Sequence, residues 1–380
     1  MDNGAIYFGK NGSWFGAGDP TSGASRTGAG TTWTPGAKYE RVTPSCSVGG
    51  GTVPIGTWNF GQTAFNTAAP TDYLAISTAN LTSTSGDVDD AFVQVLDTET
   101  NIVATLEAAH SFSTYFQIYK NRDSAEAWYG QFSHDTGNAH TWAATNTYTT
   151  FPTLSGSDNF VGYAFNGGAT GIKMGSVVHG SGDTTVTHNA GNARAYILLF
   201  DRAGATEIIG YHPDLTSGNL QNLTGGAQGA STIIKNVGAN SFDLDDALAE
   251  ATYDYLVLSE ACPYVALTGG TGNGALDGTL YSLANGEGVG VRPDWLLWKG
   301  EHNGLLFDSL RDPHNVADNE LVPDTNGVEN SLADDEVDWG SNFAKARDTA
   351  ATANQNAMLV TLVAIGRPMV SAIGTPAKAR

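Results

Sequence analysis

The residue types that do chemistry in proteins are present in this sequence, but their spacing is poor. None of the eight histidines stands in ligand spacing with another. His134 and His140, with Asp135 beside them, read as parts of a solvated loop. Three acidic clusters bring oxygens close together, the ligand chemistry that calcium prefers. They are Asp87-Val88-Asp89-Asp90, Asp243-Leu244-Asp245-Asp246 and Asp324-Thr325-Asn326-Gly327. None completes a twelve-residue loop ending in Glu. There is no Gly-x-Ser-x-Gly elbow, His-Glu-x-x-His helix or Gly-x-x-x-x-Gly-Lys-Ser/Thr loop. The glycine runs 49–52 and 269–274 lack the strand-then-helix context of a nucleotide loop and read as hairpin turns. The sequence therefore assigns no catalytic, cofactor-binding or metal residue, and an enzyme is not expected. Trp14 and Trp33 lie in or beside Gly/Thr loops, where an indole either stacks on a glycan or is buried.

The elements that would position any site are β. Glycine accounts for 47 of 380 residues, with Thr, Ser, Asn and Asp filling the gaps between short apolar runs. That composition supplies many tight turns, and the fold class expected is all-β. The formal net charge of -21 repels phosphate backbones and anionic lipid, so neither nucleic acid nor membrane insertion is expected. No apolar run approaches the ~20 residues of a membrane helix, and the N-terminal residues lack the pattern of a signal peptide. Cys46 and Cys262 are far apart and read as small buried side chains.

Three stretches share a layout: 113–132, 192–212 and 291–311. Each runs from an apolar strand through a charged turn to a second apolar strand, which is a β-hairpin pattern. The turns are Lys120-Asn121-Arg122-Asp123, Asp201-Arg202-Ala203-Gly204 and Lys299-Gly300-Glu301-His302. A strand precedes each hairpin (91–100, 172–183, 264–274) and a buried strand closes each unit (159–165, 253–260, 357–366). The chain thus divides into an N-terminal part, 1–82, and three related β modules at 87–170, 171–262 and 263–370, with a tail at 371–380. The third module carries a long polar insertion, 312–356, in which 343–358 has good helix formers but weak apolar spacing, and an exposed excursion is expected. Aromatics of the hairpins (Tyr115, Phe116, Trp128, Tyr129, Trp295, Trp298) alternate with other apolar groups and are core candidates.

The N-terminal part opens with a strand at Ile6-Tyr7-Phe8 and a turn at Asn11-Gly12. With Asn59-Phe60-Gly61 and Phe65 following, it resembles the second half of a SPRY-type (concanavalin-like) sandwich. A SPRY-like end followed by hairpin modules resembles the architecture of tailed-phage structural and tail-fibre proteins. The stretch 292–312, with Pro293, Trp295, Lys299, Phe307 and Asp308 in order, is closest to the repeat of that group. The resemblance implies a virion protein, a tail or surface fibre, with other virion proteins as partners. It also implies a homo-oligomer, trimers included, and a host surface glycan or protein as target. A capsid decoration protein and a polysaccharide depolymerase are the alternatives, the latter disfavoured because such enzymes are built of short regular rungs. The first half of the sandwich is missing, so upstream residues or a neighbouring chain are expected to complete it. Polar hairpin tips on a rigid scaffold would supply the recognition surface.

Overall fold

A computed structural model of the chain describes residues 5–10, 13–19, 22, 25–32, 88–142, 145–204, 208–215, 219–222, 229–230, 233–275, 278–286, 288–300, 304–313, 317–323, 325–331, 337–340, 342–347 and 354–368. The fold is all-β, with one eight-residue α-helix among the described residues. The chain divides into two compact units, Met1–Thr82 with Arg380 and Ser83–Ala379.

In the first unit Ala5–Ile6 pairs with Thr31–Thr32, and Gly9–Lys10 pairs with Ser13–Trp14. The strand expected at Ile6-Tyr7-Phe8 is therefore split, with Tyr7 and Phe8 between two short pairings. Asn11, Gly12, Trp33, Cys46, Asn59, Phe60, Gly61 and Phe65 lie outside the described residues.

The second unit holds three antiparallel sheets that share one strand order. In the first the order is Phe92–Thr98, Asn159–Asn166, Tyr115–Asn121, Trp128–Phe132, Asn138–Trp142, Asn146–Thr150. In the second it begins Ile172–His179, Ala251–Ser259, Ala195–Asp201, Ile209–Tyr211 and ends with Asn219–Asn222 and Gly229–Ala230. In the third it is Val265–Thr271, Leu359–Pro368, Val291–Lys299, Gly304–Asp308. In every case the last strand of the module inserts between its first strand and its hairpin. The closing strand is thus central and buried on both faces, which is why it reads as a continuous apolar run instead of alternating.

One face of each sheet meets a common core. Phe116, Val161, Tyr163 and Phe165 come from the first sheet, Tyr196, Leu198, Phe200 and Leu256 from the second, and Trp295, Leu297, Val363 and Ile365 from the third. Rings pack across modules: Phe116 lies 5.2 Å from Phe200, and Phe165 meets Trp295 edge-on at 5.6 Å. The other face of each sheet has its own cover. The helix Ile102–Ala109 covers the first, setting Ile102 and Leu106 against Phe160 and Ala164. These two helix residues are four apart, so they share one face. Gly162 lies beneath it, where a Cβ would sit 3.2 Å from Leu106. Thr105 ties the helix to the sheet by donating to Asp97 at 2.5 Å, and that bond holds the Asp97 carboxyl below its usual range.

Small sheets cover the other two outer faces. Thr184–Thr187, Ser241–Leu244 and Ile234–Lys235 bury Val186, Phe242, Leu244 and Ile234 over the second. Leu280–Ser282, Phe343–Ala346 and Val337–Trp339 bury Tyr281, Ala344 and Trp339 over the third. The last of these corrects the expectation for 312–356. Far from being an exposed excursion, the insertion supplies two strands that cover Leu296, Trp298, Leu362 and Ala364. Phe343–Ala346 is strand, not helix. A sheet with apolar residues on both faces needs a second cover, and this segment provides it.

Gly171 turns the chain from the first module into the second at φ +77°, and a Cβ there would sit 2.2 Å from the Cys262 backbone nitrogen. Gly171→Ala is expected to cost about 1–3 kcal/mol from the backbone strain alone. Gly180→Ala, a position with open space around it, should stay within about 0.5 kcal/mol of the parent. Chemical denaturation of the two variants checks the pair.

Candidate functional site

The first two charged turns, which the sequence presents as exposed tips, instead join the modules, and Glu301 and His302 of the third lie outside the described residues. Arg202, in the second hairpin turn, gives Nε and Nη2 to the two oxygens of Asp254, each at 2.8 Å. Two imidazoles of the first module complete the carboxylate: His134 at 2.8 Å and His140 at 2.9 Å, each donating from Nε2. Arg202 also reaches Asp135 at 3.4 Å and lies over the Tyr148 ring, whose hydroxyl donates to Asp135. Burial by itself would raise the Asp254 carboxyl. The hydrogen bonds from His134, His140 and Arg202 outweigh it and hold the group well below the usual carboxylate range.

This corrects the solvated-loop expectation for His140, while His134 stands in an exposed turn as expected and turns its ring toward Asp254. His140 is 1% exposed on the strand Asn138–Trp142, and its sequence neighbours gave no sign of a partner 114 residues away. An aspartate behind a histidine is also the arrangement that orients a catalytic base. Here the carboxylate has four donors and His140 has no path to solvent, so the cluster joins two modules.

The third module meets the first in the same manner. Tyr163 donates to Asp308 at 2.6 Å, and Arg311 gives Nε to the same oxygen at 2.5 Å. The remaining guanidinium nitrogens go to the carbonyls of Asn319 at 2.7 Å and Leu306 at 3.0 Å. Arg122, from the first hairpin turn, pairs with Glu329. The second module meets the third through Arg194, which holds Asp214 at 2.8 and 2.9 Å, Glu260 at 2.9 Å and the Leu267 carbonyl at 3.0 Å. His212 donates to the Leu362 carbonyl at 3.1 Å, and burial pushes its pKa down. Each module is therefore pinned to both others by polar side chains.

The second acidic cluster is occupied likewise. Asp243 accepts from Thr185 and Asn236, Asp245 pairs with Lys235, and Asp246 accepts from the Gly182 amide. At 325–326 the backbone carbonyls accept from donors of the protein itself. Asn326 accepts from the Lys120 ammonium at 3.2 Å, alongside Glu126 at 2.6 Å, and Thr325 accepts from Trp128. Asp87 and Asp324 lie outside the described residues. No group of metal-ligating side chains occurs among the described residues. Gly269 and Gly270 belong to the strand Val265–Thr271, so only the end of the run 269–274 is a turn. Of the core candidates, Phe116, Trp128, Trp295 and Trp298 are buried and Tyr115 and Tyr129 half-buried, while Trp14 stands 40% exposed against Tyr7. Cys262 is buried and unpaired by any disulfide.

Lys120 is fully buried, and the loss of water lowers its pKa from the ordinary 10.5 to about 8. Between those values the unfolded chain holds more protons than the folded one, so stability rises as pH climbs from about 8 to about 10.5. Lys120→Met is expected to lack that rising limb. Superimposable pH–stability curves for the two proteins would refute the assignment.

A cleft of about 530 Å³ opens at one end of the first module, lined by the turn Val88–Asp90, the end of the helix with His110–Ser113, and Asn166 with Gly168. Nothing in the sequence brought these segments together. Asn166 bridges them, donating to the Asp90 carbonyl at 2.7 Å and accepting from the Gly168 amide at 2.9 Å.

Residues 171–364 match a family described as a domain of unknown function, DUF7483. The chain belongs to this family. The DUF7483 region begins at Gly171, the turn into the second module, and ends within the closing strand of the third. It therefore takes in the second and third sheets with both of their covers, and the Arg194 and Asp308–Arg311 clusters. The first module shares the strand order but lies outside the matched residues, and so does the cleft. No curated protein matches the sequence.

Proposed function

We propose that the chain is a structural and adhesive component of a phage particle, a tail or surface fibre element that meets the host, and that it has no catalytic activity of its own. The observation that carries the reading is the use of the charged groups. Asp254, Arg202, Arg311, Asp308 and Arg194 are spent on fastening three sheets around one core. A scaffold fastened in this way resists deformation and presents surface loops in fixed positions, which suits attachment. The phage assignment itself rests on the resemblance of the N-terminal part and the hairpin modules to tail-fibre architecture. The hairpin turns of the first two modules are packed into junctions, so recognition belongs elsewhere on the surface.

The test is competition. Purified chain added to the host bacterium is expected to reduce adsorption of the parent particles without shortening the host's surface polysaccharide. Unchanged adsorption at saturating chain would argue against an adhesive role. Shortened polysaccharide would move the assignment to a depolymerase.

A further inference from the structure

We infer that the cleft at the end of the first module binds a neutral saccharide. This rests on the adhesive reading and names the class of surface group that the site would take. The volume of about 530 Å³ falls within the range of small-molecule sites. One wall is aromatic: His110 stacks on Phe112 with ring centres 4.5 Å apart and planes at 17°, and Tyr115 is tilted behind His110 at 5.4 Å. The imidazole is fixed. Its Nδ1 accepts from the Phe112 amide at 3.1 Å, and its Nε2 lies 2.9 Å from the Gln117 side-chain amide. With both ring nitrogens engaged and burial lowering its pKa, His110 serves as a flat uncharged plate and not as a base.

The rest of the lining is hydrogen-bonding. Asp89 and Asp90 are exposed at the cleft, as are Ser111 and Ser113, and each carboxylate has acceptor sites beyond the contact it already makes within the protein, while Asn166 holds the floor together. No lysine or arginine is among the lining residues, so a phosphate or other anion finds no opposite charge there and is repelled by two carboxylates. A purely apolar ligand would strip water from those same carboxylates without repayment. A pyranose fits both walls. Its C–H face packs on an aromatic ring, and its hydroxyls donate to carboxylates and exchange hydrogen bonds with serine.

The experiment is saturation-transfer NMR on the full chain with glucose, galactose and N-acetylglucosamine as probes and N-acetylneuraminic acid as the anionic control. At least one neutral sugar is expected to respond at millimolar concentration, the acidic sugar not at all, and the response should persist in EDTA. Ala109→Trp, at an exposed position on the rim, should abolish it by filling the cleft. Asp90→Asn should weaken binding about tenfold, the effect of losing one charged acceptor. Silence from all three neutral sugars, or a response unchanged in Ala109→Trp, overturns the assignment. So does a response that vanishes in EDTA, which would make the cleft a cation site. Ser113→Trp is the second blocking variant should Ala109→Trp fold poorly. Sugar silence in a chain that still blocks particle adsorption removes the cleft alone. Sugar binding in a chain that has no effect on adsorption leaves the cleft standing and removes the adhesive role.

Discussion

Asp254→Ala is expected to lower the free energy of unfolding by about 3–5 kcal/mol, the usual loss when one member of a buried ion pair is removed. Asp254 is 1% exposed and holds Arg202, His134 and His140 at once. Its removal leaves a buried His140 without an acceptor and a guanidinium with only Asp135 nearby. The loss is expected to fall at the junction, so the first and second modules should separate before the remainder unfolds. Hydrogen exchange would register this as early exposure of Asn138–Trp142 and Ala251–Ser259. Glu107→Ala, on the exposed side of the helix, is the control and should lie within about 0.5 kcal/mol of the parent. Equal stabilities of Asp254→Ala and Glu107→Ala would remove the structural role given to the cluster.

Arg311→Ala should cost as much, about 3–5 kcal/mol, by stranding a fully buried carboxylate. Both side chains of the pair are 0% exposed. Asp308 would keep the Tyr163 hydroxyl and the amides of Leu310 and Arg311, which donate to its other oxygen. Arg311→Lys restores the charge but not the geometry. The guanidinium serves Asp308, Asn319 and Leu306 from three different nitrogens, and one ammonium cannot reach all three. Lysine is therefore expected to recover only part of the loss, measured by chemical denaturation beside the alanine variant. Full recovery by lysine would mean that charge alone mattered.

The legible part of the fold was its sheets. Apolar runs ending in a charged turn, such as 115–121 and 291–299, are strands in hairpins because the pattern is local and both faces are buried. The cover of the third module was less legible. Val337 with Trp339, and Ala344 with Ala346, alternate as half-buried strands do, but they are brief and set among acidic residues. The helix Ile102–Ala109 offered only Ile102 and Leu106 as buried positions, too few for a periodic signal. The partners at the junctions could not be read, since Asp254 and His140 are 114 residues apart. A hint was present nonetheless. Asp254 interrupts the apolar strand at 251–259, and Lys120 sits near the end of another at 115–121. A charge inside a strand buried on both faces must have a partner from elsewhere. The cleft, assembled from three separated segments, left no such mark.

The role on the particle is tested most directly by electron microscopy of intact virions with a gold-labelled antibody raised against residues 88–368. Gold on tail or surface fibres is the expected result. Gold spread over the head lattice, or particles that carry none, would contradict the account.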